Sequence, residues 1–463
     1  MSDLVVTNWF GDLVSHPKVI VEANSIDDVV EVLKNVEKYP PPVRAVGSNH
    51  STAPCGVAEG GTLLKMKMNR ILSIGSDTMT VEAGALHIDM AKELEKRGLQ
   101  FYVNTEIGGL SAGSAACAGT KDSSFPGEYG QVGSYITGVK MVLPSGEILI
   151  ATDDQPELMQ KIRSSYGTFG VICEVTYRIR PLLPMAVHHK TFPLAEFLGS
   201  LPELKALDYS MMFYLFPFDD QVTVEFRKYN PNAGGEPDRH VWELRNYLWG
   251  KAGPRFANDV ERDIADPTVR YQMVDSFNAL WRWKLENLIR SDYTSPPDQI
   301  IRYPPVSNES RYTFSLFAFP EETYPTVLPA CFQFCRDYYQ QQKYRSNMLC
   351  VGYRIEQDQQ AFLSYSHGGA VMTFDPVSTG NPGWKTFLDA FNVFCGDRGG
   401  IPLFNQTYGI TRDLAWKAFG DRLRDFEETR KSFDPGGRLL NDYFRDILSS
   451  PDSASQGRKP GAR

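Results

Sequence analysis

The chain has 463 residues, 42% apolar and 22% charged, with 22 Tyr and 27 Phe, which excludes wholesale disorder and supplies apolar material for two or more domains. Lysine and arginine number 48 against 56 acidic residues, a net charge of −8 with no long basic run, so the balance argues against a nucleic-acid partner. No stretch approaches the roughly 18 to 20 apolar residues of a membrane helix. The first residues lack a basic-then-apolar secretory pattern, and seven scattered cysteines with no CxxC pair suit reduced thiols. The expectation is a cytoplasmic protein with no membrane partner and no metal site.

In chain order, Val19 to Ala23 reads as a strand. Ser25 then caps a helix whose apolar positions recur at Val29, Val30, Leu33 and Val36. Pro40-Pro41-Pro42 stops that helix, and Val43 to Val46 makes a short strand running into Gly47. A β-rich stretch from Thr62 to Ala83, a helix from Ile88 to Arg97 ended by Gly98, and a small-residue loop from Gly108 to Gly119 follow. Val139 to Leu143 and Glu147 to Ile150 pair across the turn Pro144-Ser145-Gly146, and Gly167 to Ile179 reads as a loop and a strand. Pro181 and Pro184 mark a boundary. Beyond it lie apolar runs (Met211 to Phe218, Val222 to Phe226, Thr313 to Phe319) and a helical pattern from Val327 to Tyr339. A helix near Leu414 to Arg430 and the turn Asp434-Pro435-Gly436-Gly437 come last, before a polar segment, 449–463, that reads as a disordered tail.

The segment Gly47-Ser48-Asn49-His50-Ser51 ends a strand in small residues, so its backbone amides are placed to wrap a phosphate. It is not a GxGxxG fingerprint and no helix starts at once behind it, which disfavours a Rossmann site. After it come Lys67-Met68-Asn69-Arg70-Ile71-Leu72, then Thr80-Val81-Glu82-Ala83-Gly84, then Ile107-Gly108-Gly109, and finally Tyr166-Gly167-Thr168-Phe169-Gly170-Val171-Ile172. This order and spacing resembles the vanillyl-alcohol-oxidase-type (PCMH-type) FAD-linked oxidases, nearest to the sugar-lactone and alditol oxidase branch, closely over residues 8–180 and loosely at the C-terminus.

The resemblance implies an α+β fold. A two-subdomain FAD-binding domain would span 1–184 and an antiparallel-sheet cap, or substrate, domain 185–400, with 401–448 returning to the flavin. It implies FAD as cofactor, joined covalently through His50, with Gly47, Ser48, Asn49 and Ser51 at the pyrophosphate; Asn49 stands where relatives usually have a smaller residue. Gly108, Gly109, Ser111, Gly113 and Ser114 would approach the cofactor closely, and Gly167, Gly170 and Ile172 would border its adenosine end. Cys55 and Cys117 read as buried, unreactive thiols, and His188-His189 as a solvated pair.

At the reacting end, relatives carry a Glu-x-Arg pair on a cap strand and a His-Trp-x-Lys-like segment further on. The matching register here is Gly352-Tyr353-Arg354 and Pro402-Leu403-Phe404-Asn405-Gln406. Arg354 is kept, which would stabilise charge developing on the flavin or a substrate oxygen. Tyr353, Asn405, Gln406 and Tyr408 would orient a substrate, and Glu356 or a tyrosine would serve as base. Phe213, Tyr214, Phe216, Phe218, Phe314, Phe317 and Phe319 read either as sheet core or as a pocket for an apolar substrate. The implied function is oxidation of an alcohol or C–H group of a small organic, aromatic or secondary-metabolite-like, substrate. O2 or another acceptor would reoxidise the flavin. A sugar-lactone or polyol oxidase, and a flavin-dependent transferase or reductase, are the alternatives. Isolated exposed aromatics are consistent with a homodimer.

Overall fold

A computed structural model describes residues 4–303, 306–307 and 309–450; from 451 onward the expected tail lies outside the described residues. The fold is α+β and rests on three larger sheets, with two two-stranded ribbons beside them among the described residues. Strands Val19–Ala23, Thr62–Met66 and Val43–Val46 form a small parallel sheet with Thr62–Met66 in the centre. The helix Ile26–Lys34 covers it, burying Val29, Val32 and Leu33 against Ala23, Val43 and Leu64. Its start is fixed by a capping box: the Asp28 amide donates to Ser25 Oγ at 3.2 Å, and the Ser25 amide donates to Asp28 Oδ2 at 3.0 Å.

The second sheet is antiparallel, ordered Ile148–Thr152, Ile136–Val142, Val171–Pro181, Thr78–Glu82 and Ile71–Ile74, with Leu99–Phe101 also paired to the long strand Val171–Pro181. After Pro181 the chain changes sheet. Met185–Pro193 enters an eight-stranded antiparallel sheet whose middle strands are Gln221–Tyr229, Ser210–Phe216, Cys350–Ile355 and Val371–Phe374. Ile401–Pro402 closes its far edge beside Phe317–Pro320, so the C-terminal segment is stitched into the same layer. No helix among the described residues is long and apolar enough to cross a membrane.

Several local expectations are corrected. The loop expected over 108–119 contains the helix Ala112–Cys117, because Ala112, Ala115 and Ala116 are strong helix formers. The single helix expected over 414–430 is two, Arg412–Phe419 and Asp421–Phe433, broken at Gly420 with φ +53°. The run 313–319 splits into Thr313–Phe314 and Phe317–Pro320, which join different sheets. His188-His189 is not a solvated pair: strand alternation exposes His188 and buries His189, whose ring nitrogens lie 2.8 Å from the Ile289 carbonyl oxygen and 3.0 Å from Glu225 Oε2. Helices Arg239–Tyr247, Gly253–Asp263 and Pro267–Leu288 pack beneath the large sheet without having been anticipated.

Candidate functional site

Where strand Val43–Val46 ends, the loop 47–51 turns along a cleft of about 1060 Å³. Packing dictates the small residues here. A Cβ on Gly47 would lie 2.0 Å from Ser111 Oγ, one on Gly113 would lie 2.9 Å from Ala83 Cβ, and one on Gly170 would lie 2.8 Å from the Val142 carbonyl. Asn49 adopts φ +54°, a left-handed conformation that asparagine tolerates, and its side-chain amide donates to the Thr7 carbonyl at 3.0 Å. Among the described residues, the backbone amides of Ser48, Asn49, His50 and Ser51 donate to no protein acceptor. Successive N–H groups left over in a tight turn are donors for an anionic ligand.

The cleft is tied together from behind by Arg44, which is 3% exposed. Its guanidinium donates to the carbonyls of Cys55 (2.8 Å), Tyr166 (2.7 Å), Gly167 (3.2 Å) and Leu439 (2.8 Å), joining four chain segments. The C-terminal segment adds Asn405, whose Oδ1 is buried without a hydrogen-bond partner, and Gln406; both line the cleft. Thr52 donates to the Asn405 carbonyl at 3.0 Å, which fixes that segment against the phosphate-type loop.

His50 lines the same cleft. Its ring stacks on Trp9 with centroids 5.1 Å apart and planes at 22°. Gly109 makes room for it, since a Cβ there would lie 3.0 Å from His50 Nε2. Burial pushes the imidazole down to about 4, so at neutral pH the ring is uncharged and one nitrogen keeps a lone pair. The thiols of Cys55 and Cys117 are pushed up to about 12 and about 11 by burial, which leaves both protonated and poor nucleophiles.

A second chamber of about 600 Å³ continues the cleft, sharing Ile107, Leu110, Thr120, Phe314 and Gln406 with it. Its walls include four aromatic residues (Trp249, Tyr312, Phe314, Tyr353) and three charged ones (Glu106, Lys121, Asp375). Lys121 Nζ lies 3.5 Å from Asp375 Oδ2 and 3.4 Å from the centroid of the Tyr353 ring. The Tyr353 hydroxyl donates to Glu106 Oε2 at 3.0 Å, and Arg245 pairs with Glu106 from below. Beneath this floor the charges alternate: Arg227 bonds both Glu225 (2.6 Å) and Asp122 (2.8 Å), and Tyr214 donates to Glu225 at 2.6 Å.

Of the residues expected at the cofactor, the cleft collects Gly47, Ser48, Asn49, His50, Ser51, Ser111, Gly113, Ser114, Gly167, Gly170 and Ile172. Gly108 is placed differently. Its close approach is to the cap side, where its amide donates to Ile301 at 2.9 Å and a Cβ would lie 2.5 Å from Ile300 Cγ2. Of the residues expected at the substrate, Asn405, Gln406 and Tyr353 line the two cavities, whereas Arg354 and Glu356 do not. On strand Cys350–Ile355 it is Val351 and Tyr353 that face the chamber, so Arg354 points to the other face and pairs with Glu321 (2.9 Å) and Glu356 (3.0 Å). Tyr408 also lines neither cavity; its carbonyl accepts from Asn392 at 2.7 Å. Most of the aromatics from Phe213 to Phe319 are sheet core, Phe314 being the member that reaches both cavities.

Comparison with known proteins agrees with this geometry. The FAD binding domain family matches residues 17–152. An L-gulono-1,4-lactone dehydrogenase of Mycobacterium tuberculosis is 23% identical over 446 residues, 96% of this chain and 98% of that protein. An L-gulonolactone oxidase of Bos taurus is 26% identical over 242 residues, covering 51% of this chain and 54% of its own length. Among solved structures, a solvent-stable cholesterol oxidase superposes with a TM-score of 0.73 at 17% identity, covering 96% of this chain and 97% of that one. A cholesterol oxidase from B. sterolicum superposes with a TM-score of 0.75 at 14% identity, with the same coverage.

Proposed function

We propose, taking as premise that the chain belongs to the PCMH-type FAD-linked oxidases near the sugar-lactone branch, that it oxidises a hydroxyl-bearing small molecule held in the second chamber. The observation that carries this reading is the continuity of the two cavities: one is suited to a long anionic cofactor, and the other opens from it through five shared residues. The fit to FAD rests on the glycine cradle, on the unspent amides of residues 48–51 and on the unpartnered Asn405 Oδ1. When bound there, FAD takes up a hydride from a substrate C–H group and passes the electrons to O2 or another acceptor.

The chain's own residues do the rest. The amides of 48–51 would hold the phosphates, and Ser111 and Ser114, hydrogen-bonded to each other at 3.0 Å, line the same cleft. His50, neutral and stacked on Trp9, is the residue through which we expect the cofactor to be covalently attached. Trp249, Tyr312 and Phe314 exclude water and offer an apolar wall, which supports an alcohol carried on an apolar or aromatic frame. A sugar lactone is the second reading, favoured by a relative that covers nearly the whole chain and is named for a lactone. Seven buried free thiols support a reducing, cytoplasmic setting.

Acid precipitation of the yellow wild-type protein and of His50→Ala tests the attachment. Colour should stay with the wild-type pellet and leave the variant. Flavin released from wild type overturns the linkage, and a colourless native protein overturns the oxidase reading. Anaerobic bleaching by benzyl alcohol faster than by L-gulono-1,4-lactone decides for the apolar frame, and the reverse order for the lactone.

A further inference from the structure

One charged group in the second chamber is left unsatisfied. Asp375 is 2% exposed and lines the chamber. Its backbone is clamped to Val351 by two hydrogen bonds of 2.8 and 3.0 Å, and Pro376 behind it favours the extended conformation that aims the side chain. Oδ2 faces Lys121 at 3.5 Å and the Thr373 hydroxyl also steadies the carboxylate, but Oδ1 is buried with no partner in hydrogen-bond geometry. A buried acceptor in that state is destabilising, and a donor arriving with a ligand would satisfy it.

We propose that Asp375 is the catalytic proton acceptor for the substrate hydroxyl, and that Lys121 is a positioning residue which keeps its carboxylate ionised and fixed. The assignment rests on the oxidase reading above and takes the role expected of Glu356 or a tyrosine; Glu356 pairs with Arg354 outside the chamber. The step balances. The hydroxyl O–H bond breaks with its proton on Asp375 Oδ1, the oxygen's electron pair closes the C=O bond, and the carbinol hydrogen leaves with the C–H pair to the oxidant, a flavin.

The surroundings suit the role. Burial pushes the Asp375 carboxyl up to about 6, against the pull of Lys121, which places it in the range where a general base operates near neutral pH. Of the other groups around it, Tyr324, Cys350, Tyr353 and Tyr365 are held protonated by burial, Asp122 is paired with Arg227, and Glu106, the chamber's second carboxylate, is paired with Arg245 and accepts from the Tyr353 hydroxyl. Lys121 reaches across from the segment that follows helix Ala112–Cys117. It therefore joins the cofactor side of the molecule to the cap through one ion pair.

Infrared difference spectroscopy of the holoprotein between pH 5 and 8 tests the proposal without a substrate. A buried protonated-carboxyl band should disappear with a midpoint near 6, be absent in Asp375→Asn, and shift its midpoint upward in Lys121→Gln, because removing a neighbouring cation favours the neutral acid. A band that persists in Asp375→Asn, or a midpoint unmoved in Lys121→Gln, overturns the assignment. With the faster-bleaching of benzyl alcohol and L-gulono-1,4-lactone, Asp375→Asn should slow anaerobic flavin reduction by about 10² to 10⁴-fold and abolish its rise with pH. Bleaching within threefold of wild type, or neither alcohol perturbing the flavin spectrum, equally overturns it. Protein without flavin would defeat the oxidase reading instead, while leaving the infrared titration to decide on the Asp375–Lys121 pair.

Discussion

The cofactor cleft and the substrate chamber meet at five residues yet are built on opposite principles. The cleft is made of backbone: glycines that admit no Cβ and a loop whose amides are left over. The chamber is made of side chains, with Lys121 and Asp375 coming from positions 254 residues apart and Trp249, Tyr312 and Tyr353 from three further segments. Backbone sites depend on local sequence and tolerate little change. Side-chain sites depend on tertiary packing and can change their chemistry while the fold stays fixed, which is how one scaffold serves several substrates.

The sharpest way to break the cleft is Gly47→Val. Its Cβ would stand 2.0 Å from Ser111 Oγ, and the expected result is loss of bound flavin by at least about 100-fold, given the several kcal/mol that overpacking and a lost cradle cost together; the ratio of visible to ultraviolet absorbance reads it. The chamber should fail in a different way. Glu106→Gln leaves Arg245, which is fully buried, with Glu225 at 3.5 Å as its remaining carboxylate, and removal of one partner of a buried pair costs up to about 3–5 kcal/mol. We expect a lower unfolding midpoint in urea with flavin content near wild type, the inverse of the Gly47 phenotype. Smallest of all should be Arg354→Ala. Its pairs with Glu321 and Glu356 lie outside both cavities, so flavin reduction should change less than twofold; a larger loss would return the arginine to the reacting centre.

This contrast also explains what could be read before any coordinates. The loop 47–51, the 80–84 segment and the 166–172 segment were legible because their chemistry is local: small residues at fixed spacing that a backbone-lined site requires. Arg354 was misplaced by a single step along a strand, and one step reverses the face. Lys121 had a faint signal, a charge immediately after a run of Ala, Ser and Gly, but nothing in the chain's order tied it to Asp375. The helix Pro267–Leu288 carried an overlooked start signal, Asp266 as cap followed by proline in the first turn. The aromatics from Phe213 to Phe319 read either as sheet core or as a pocket, and the sheet buries most of them in its own core. Trp249, which does line the chamber, comes from the wide helical turn Leu248–Ala252 between two unanticipated helices, and Tyr312 from a loop.

Arg44 sets a timetable as well as a geometry. One of the four carbonyls it binds belongs to Leu439, 395 residues downstream. During synthesis at about 5–20 residues per second, that partner emerges roughly 20 to 80 seconds after the guanidinium does. Until then a cation destined for full burial lacks part of its shell, so the cleft stays open at its back. We expect flavin capture to wait for that partner, so that ribosome-bound chains stalled before Leu439 are colourless.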